Sequence, residues 1–172
     1  MNQMDKPGFR VPLHLYLGLV LLLGLLLRFD MIAASNYVID SDEAIVGLMA
    51  KHILEGKGIP TFYYGQHYMG SLEPMLVALS FSIFGISNFA LKLVPLLFSL
   101  ALIFLVFRLT REIWNEKAAR IAALLCAVAP SALVIWSAKA RGGFIEVLVI
   151  GALSMLFTVR WLKAASASLS GV

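Results

Sequence analysis

VPLHLYLGLVLLLGLLLR, residues 11–28, decides the fold. From Val11 to Leu27 the run holds 17 residues with no Asp, Glu, Lys or Arg. That is the lower end of the roughly 17–25 residues a helix needs to cross a hydrocarbon core about 30 Å thick. A secretory signal has a shorter apolar region, about 7–15 residues. Here Arg28 and Asp30 also stand between the run and the small residues Ala33-Ala34-Ser35. The segment therefore reads as an uncleaved membrane anchor.

The rest of the chain repeats the theme. Sixty per cent of the 172 residues are hydrophobic and 14% are charged, against about 25% charged in soluble domains. Further apolar blocks cover about 88–108 (with Lys92 and Pro95), 119–137 (with Pro130) and 144–161 (with Glu146). Each is long enough to span. Met75 to Gly85 has only 11 apolar-rich residues, which suits an interfacial segment better than a crossing. If it does not cross, Lys6 and Arg10, the cluster Arg108, Arg111, Lys117, Arg120, and the pair Arg160, Lys163 share one side. The positive-inside rule makes that side cytoplasmic, the N-terminus included. The expected fold is thus an all-α integral membrane protein of about four spans. Two interfacial helices, about 42–56 and 73–86, lie in an extracytoplasmic loop running from 29 to 87.

The net charge of +4 does not point to nucleic acid, because the basic residues sit at the ends of apolar blocks, where they orient helices. A single cysteine, Cys126, excludes an intrachain disulfide and reads as a packing residue. Trp114, Trp136 and Trp161 fall at expected span ends, where an aromatic belt accounts for them.

The long loop carries structure of its own. Ile45, Leu48, Met49 and Ile53 recur at helical spacing, with Lys51, His52 and Glu55 off the stripe. Gly56, Gly58 and Pro60 stop the helix. Ahead of it stand Asp40, Asp42 and Glu43, three carboxylates in four residues. Asp40 and Glu43 have the spacing of a capping box, and acids favour the positive end of a helix. A carboxylate at a membrane–water boundary can also act as general base toward a hydroxyl. Grouped carboxylates can hold a divalent cation, and Asp42, His52 and His67 form a chemically plausible set for a metal.

The order of these features resembles the start of the polyprenyl-phosphate-sugar-dependent (C-type) glycosyltransferases of the dolichyl-phosphate-mannose-protein mannosyltransferase family, to which the aminoarabinose transferases of lipid A are related. The matching features are a first span ending in Arg28, then Asp42-Glu43-Ala44 and Glu55-Gly56-Lys57-Gly58-Ile59-Pro60. Tyr68, an interfacial helix headed by Pro74, and Phe84-Gly85-Ile86-Ser87 follow. The resemblance implies inverting transfer of a sugar from a polyprenyl-phosphate carrier to a hydroxyl acceptor outside the cytoplasm. Asp42 maps to the proposed base, with Glu43 following and Asp40 preceding it. Arg28, Lys139 and Arg141 are candidate partners for the leaving phosphate, and snorkelling to lipid headgroups is the alternative for each. Tyr68 joins them as a candidate for substrate binding. Relatives of the aminoarabinose type carry a lysine where Glu73 precedes Pro74, and an aspartate in the second external loop, which here reads Ala138 to Gly143. Glu146 either substitutes for that acid or pairs with Arg141. Because family members have many more spans, the chain is expected to be part of a longer protein or to need a partner chain. The other functional classes are a non-catalytic membrane scaffold and a transporter-like fragment.

Overall fold

A computed structural model describes residues 11–170, with side chains described through Ser168. The N-terminal charges Lys6 and Arg10 lie outside the described residues. Seven helices account for the described fold: α1 (Leu13–Ala34), α2 (Ser41–Leu54), α3 (Leu72–Phe84), α4 (Asn88–Ile113), α5 (Glu116–Ala127), α6 (Ser131–Trp136) and α7 (Phe144–Ser170). No named strand occurs among the described residues; one isolated antiparallel bridge, Phe62 to Gly70, closes the aromatic loop.

Local chemistry sets the ends. Asp40, Ser87 and Asn115 each accept a backbone N–H of the first turn, from Glu43, Ala90 and Ala118 respectively, as N-caps do. Gly56 and Gly85 follow α2 and α3 with φ of +75° and +80°, the left-handed region that glycine enters without a Cβ penalty. At the end of α1, Asn36 and Tyr37 take positive φ instead. The Tyr37 N–H reaches back to the Ile32 carbonyl at 3.1 Å.

Helices α1, α4 and α7 are long and apolar enough to cross a membrane, while α3 is a shorter apolar helix. Their 22, 26 and 27 residues give roughly 33, 39 and 40 Å at about 1.5 Å per residue. Two differences from the sequence expectation matter. Helix α1 continues to Ala34, so Arg28 lies inside the helix rather than at its end. The block 119–137 is not one helix: it breaks at Val128–Pro130 into α5 and α6. Proline lacks the N–H that would bond the Cys126 carbonyl, and its ring opposes continuation.

The direction of packing shows what the broken segment does. Leu102 and Leu105 of α4 pack with Ile145, Val149 and Leu156 of α7. Near their C-terminal ends Arg160 Nε donates to Glu112 Oε1 at 2.9 Å. Helices α4 and α7 are therefore parallel, and α5–α6 returns the chain from the C-terminal end of α4 to the start of α7. At the start of that return the Tyr16 hydroxyl donates to the Arg120 carbonyl at 2.6 Å, and Arg120 donates to the Val11 carbonyl at 3.0 Å. One end of the bundle thus gathers the N-termini of α1 and α5 with the C-termini of α4 and α7. The other end carries α2, α3, α6 and the turn 137–143.

Close packing of α5 depends on small residues. Ala119, Ala123 and Ala127, four apart and fully buried, join Val20, Ile103 and Phe107 in one cluster. A Cβ on Gly24 would meet Ile103 Cδ1 at 2.6 Å. Such stripes let membrane helices approach closely. At the opposite end Val46, Met49 and Ala50 of α2 face Val77, Ala78 and Phe81 of α3 and Leu91 and Val94 of α4. The expected stripe is used in part: Met49 is buried, Ile45 and Ile53 pack at the margin, and Leu48 is exposed. The reason is that α3 and α4 cover only one flank of α2.

Candidate functional site

The acidic turn Asp40–Glu43 closes over the N-terminus of α2, and it does form a capping box. Asp40 Oδ1 accepts the Glu43 N–H at 3.1 Å, while Glu43 Oε2 accepts the Asp40 N–H at 3.2 Å. Glu43 is fully buried. Its Oε1 takes the Lys92 ammonium at 2.7 Å and the Ala140 N–H at 3.3 Å. Buried charges require such pairing, and here the pair ties α2 to α4 and to the 137–143 turn.

Asp40 Oδ2 is held by Lys139 Nζ at 2.8 Å and Arg141 Nη2 at 2.5 Å. Burial alone raises this carboxyl, but the hydrogen bonds from Lys139, the Glu43 N–H and Arg141 outweigh it. They hold it well below the usual carboxylate range.

Asp42 differs from both neighbours. Its side chain is 47% exposed, and Arg141 Nη1 approaches its Oδ2 only to 3.8 Å. The backbone beneath is fixed, because the Tyr63 hydroxyl donates to the Asp42 carbonyl at 2.7 Å. Burial first, then the charges of Asp42, Glu73 and Asp40, push the Tyr63 phenol up to about 12, so it remains a donor at neutral pH. Asp42 is therefore a carboxylate on a rigid mount with an open face.

Arg141 is the centre of the cationic side. Its guanidinium stacks 4.7 Å over the Trp136 ring, an arrangement that suits the planar Arg cation. Its Nε is buried without a partner among the described residues. Trp136 in turn lines an apolar groove of about 580 Å³, together with Tyr68, Leu133, Phe144, Val147 and Leu148. Tyr68 is 80% exposed. On the other side of the turn a polar cleft of about 300 Å³ is lined by Asp40, Glu43, Lys92 and Lys139 against Met31 and Ile39. Carboxylates, cations and an apolar groove thus meet at one end of the bundle.

Arg28 has a different position. It is 1% exposed, and its guanidinium donates to the carbonyls of Gly24, Ala127 and Cys126 at 3.2, 3.0 and 3.2 Å, and to Ser137 Oγ at 3.2 Å. It satisfies the helix break made by Pro130, including the Cys126 carbonyl that proline leaves without a donor. The exposed cation expected at the end of a span is instead an internal brace.

The histidines do not join Asp42. His52 Nδ1 lies 3.0 Å from the Tyr64 hydroxyl, and His67 packs edge-on against Phe62. Among the described residues no group of three or more His, Cys, Asp or Glu could hold a metal ion. Glu146 does not pair with Arg141 among the described residues. Both its carboxyl oxygens are buried without a hydrogen-bond partner among the described residues, and the side chain adjoins Glu73 rather than Arg141. Glu73 accepts the Gly142 N–H. Burial, with the Glu146 carboxyl beside it, pushes Glu73 up from the usual carboxylate range. Sequence reasoning missed Lys92, Tyr63 and Glu73 as site-building residues. A charge inside an apolar block was the available signal for Lys92.

The family model described as dolichyl-phosphate-mannose-protein mannosyltransferase matches residues 72–169. That segment contains Glu73, Lys92, Lys139, Arg141 and Glu146, and it begins after the Asp40–Glu43 turn. No curated protein and no solved structure matches the chain. With more than half of its 172 residues matched, and with an all-helical membrane architecture, the chain belongs to the dolichyl-phosphate-mannose-protein mannosyltransferase family.

Proposed function

We propose that this chain carries the acceptor-activating part of a membrane glycosyltransferase that uses a polyprenyl-phosphate-linked sugar outside the cytoplasm. The observation that carries the reading is the meeting of one open carboxylate, Asp42, with Arg141 and Lys139 at the mouth of an apolar groove. Asp42 takes the proton of an acceptor hydroxyl. The acceptor oxygen attacks the anomeric carbon as the carbon–phosphate oxygen bond breaks, and the electron pair leaves on polyprenyl phosphate. A single displacement of this kind inverts the anomeric centre. Arg141 and Lys139 stabilise the departing phosphate, while Tyr68, Trp136 and Phe144 give the isoprenoid an apolar bed. Asp40 orients the two cations and Glu43 anchors the turn, so neither is the base.

The topology that goes with this chemistry has four passes, formed by α1, α4, the α5–α6 pair and α7, with α2 and α3 interfacial. The parallel packing of α4 and α7 supports counting α5–α6 as a pass. The segment 137–143 and the acidic turn then share the extracytoplasmic face of the cell membrane. Arg108, Arg111, Lys117 and Arg120 lie on the cytoplasmic side with the N-terminus. The sugar and acceptor are set by parts of the site that other helices or a partner chain supply.

The test is Asp42→Asn in membranes carrying the native protein, assayed for transfer from a panel of polyprenyl-phosphate sugars. Loss of a general base lowers turnover by about 10²–10⁴-fold, with the protein still folded and inserted. Undiminished transfer, or none from any donor with the native chain, would favour the non-catalytic scaffold.

A further inference from the structure

Behind the cationic turn lies a pair of carboxyls that the proposed chemistry does not use. Glu73, at the start of α3, and Glu146, in the first turn of α7, are 1% and 2% exposed. One oxygen of Glu73 accepts the Gly142 N–H. The other, and both oxygens of Glu146, are buried with no donor among the described residues. Two ionised carboxylates only accept hydrogen bonds, and side by side in a buried site they repel each other. One proton relieves the repulsion by neutralising one group, and it bridges two of the three oxygens that lack a partner.

The surrounding charges do not substitute for that proton. On α2 and its cap, Glu43 is committed to Lys92 of α4, and Asp40 to Lys139 and Arg141. Asp42 faces Arg141 at 3.8 Å, and the Tyr63 hydroxyl is spent on the Asp42 carbonyl. Neither Glu73 nor Glu146 has a cation within ion-pair distance among the described residues; every nearby one is paired elsewhere.

We propose that Glu73 and Glu146 share a single proton and act as positioning residues that hold the 137–143 turn, and with it Arg141, against Asp40 and Asp42. The coupling is mechanical. Gly142 has φ of +77°, and a Cβ there would stand 2.7 Å from the Tyr63 ring, so the turn is closely packed against Tyr63 at this residue. Arg141 is the residue just before it. Removing the shared proton drives the two carboxylates apart, and Glu73 takes the Gly142 anchor with it. The inference rests on the proposed role of Arg141 only for its catalytic meaning; the proton and the turn are tested without any sugar donor.

The experiment uses the full chain in lipid nanodiscs, in a Trp114→Phe/Trp161→Phe background that leaves Trp136, the ring under Arg141, as the sole tryptophan. Infrared spectra near neutral pH should carry the C=O stretch of a buried protonated carboxyl. That band should disappear as pH is raised, together with a change in Trp136 emission. Glu146→Gln and Glu73→Gln, each a permanent amide of the same shape, should lack both the band and the alkaline emission change while keeping native helix content. Absence of the band near neutral pH, or its persistence in both Gln variants, overturns the shared proton. A band that titrates with no change in Trp136 emission overturns the positioning role. Neither readout depends on glycosyl transfer, so failure of the functional reading is seen separately, in the Asp42→Asn assay.

Discussion

Replacing Arg28 by methionine keeps most of the side chain's length and removes its donors. The Gly24 carbonyl keeps the helical N–H of residue 28, but the carbonyls of Cys126 and Ala127 lose the donors that Arg28 supplies. Each orphaned buried acceptor costs about 1–3 kcal/mol. Relief of guanidinium desolvation offsets part of that, and interhelical hydrogen bonds in membranes average only about 0.6 kcal/mol. The expected loss is therefore near the low end, about 2 kcal/mol. A second substitution makes the reasoning specific. Pro130→Ala restores the N–H that can bond the Cys126 carbonyl within a continued α5, so Arg28→Met should then cost about 1 kcal/mol less. Reversible unfolding in detergent or bilayer discs measures all four corners of the cycle. If the two substitutions add within about 0.5 kcal/mol, Arg28 is not serving the break at Pro130.

Lys92→Met should destabilise by about 3–5 kcal/mol by leaving the buried Glu43 without its counter-charge; Glu43→Gln/Lys92→Met should recover most of that in the same unfolding assay. Asp40 has a folded pKa below its unfolded value of 3.8, so its stabilisation is complete above that value and fades as pH falls toward the folded one. Asp40→Asn should thus lower stability at neutral pH and flatten the acid limb, read as unfolding midpoint against pH. Gly142→Ala should cost about 1–3 kcal/mol from positive φ and overlap with Tyr63. Gly58→Ala, with φ of +86° and open space, should cost about 1 kcal/mol from the backbone alone, and comparing the two unfolding free energies isolates the overlap.

What was legible in the sequence was what neighbours in the chain decide. The capping box at Asp40 and Glu43, the stop at Gly56 and the short apolar helix expected at about 73–86 are all set by residues close in the chain, and the helix forms at Leu72–Phe84. Pro130 was visible too. Its consequence was not, because whether a proline is absorbed in a span or breaks it depends on which donor reaches the freed carbonyl. That donor is Arg28, about a hundred positions away in sequence. The pairing of Lys92 with Glu43 and of Glu73 with Glu146 is equally non-local. Spacing and composition mark such charges as expensive in a membrane without saying who answers them. The same holds for Asp42: the sequence offers three acids, and only the packing of Lys92, Lys139 and Arg141 leaves that one open.

The order in which these partners leave the ribosome differs. Lys92 meets a carboxylate that was synthesised before it. Arg28 enters the bilayer with the first anchor, and its acceptors at Cys126 and Ala127 follow 98 and 99 residues later. At about 5–20 residues per second that is a wait of roughly 5–20 seconds, during which the guanidinium must snorkel toward the interface. The buried cation of the first helix therefore finds its interhelical acceptors only after α5 has been made.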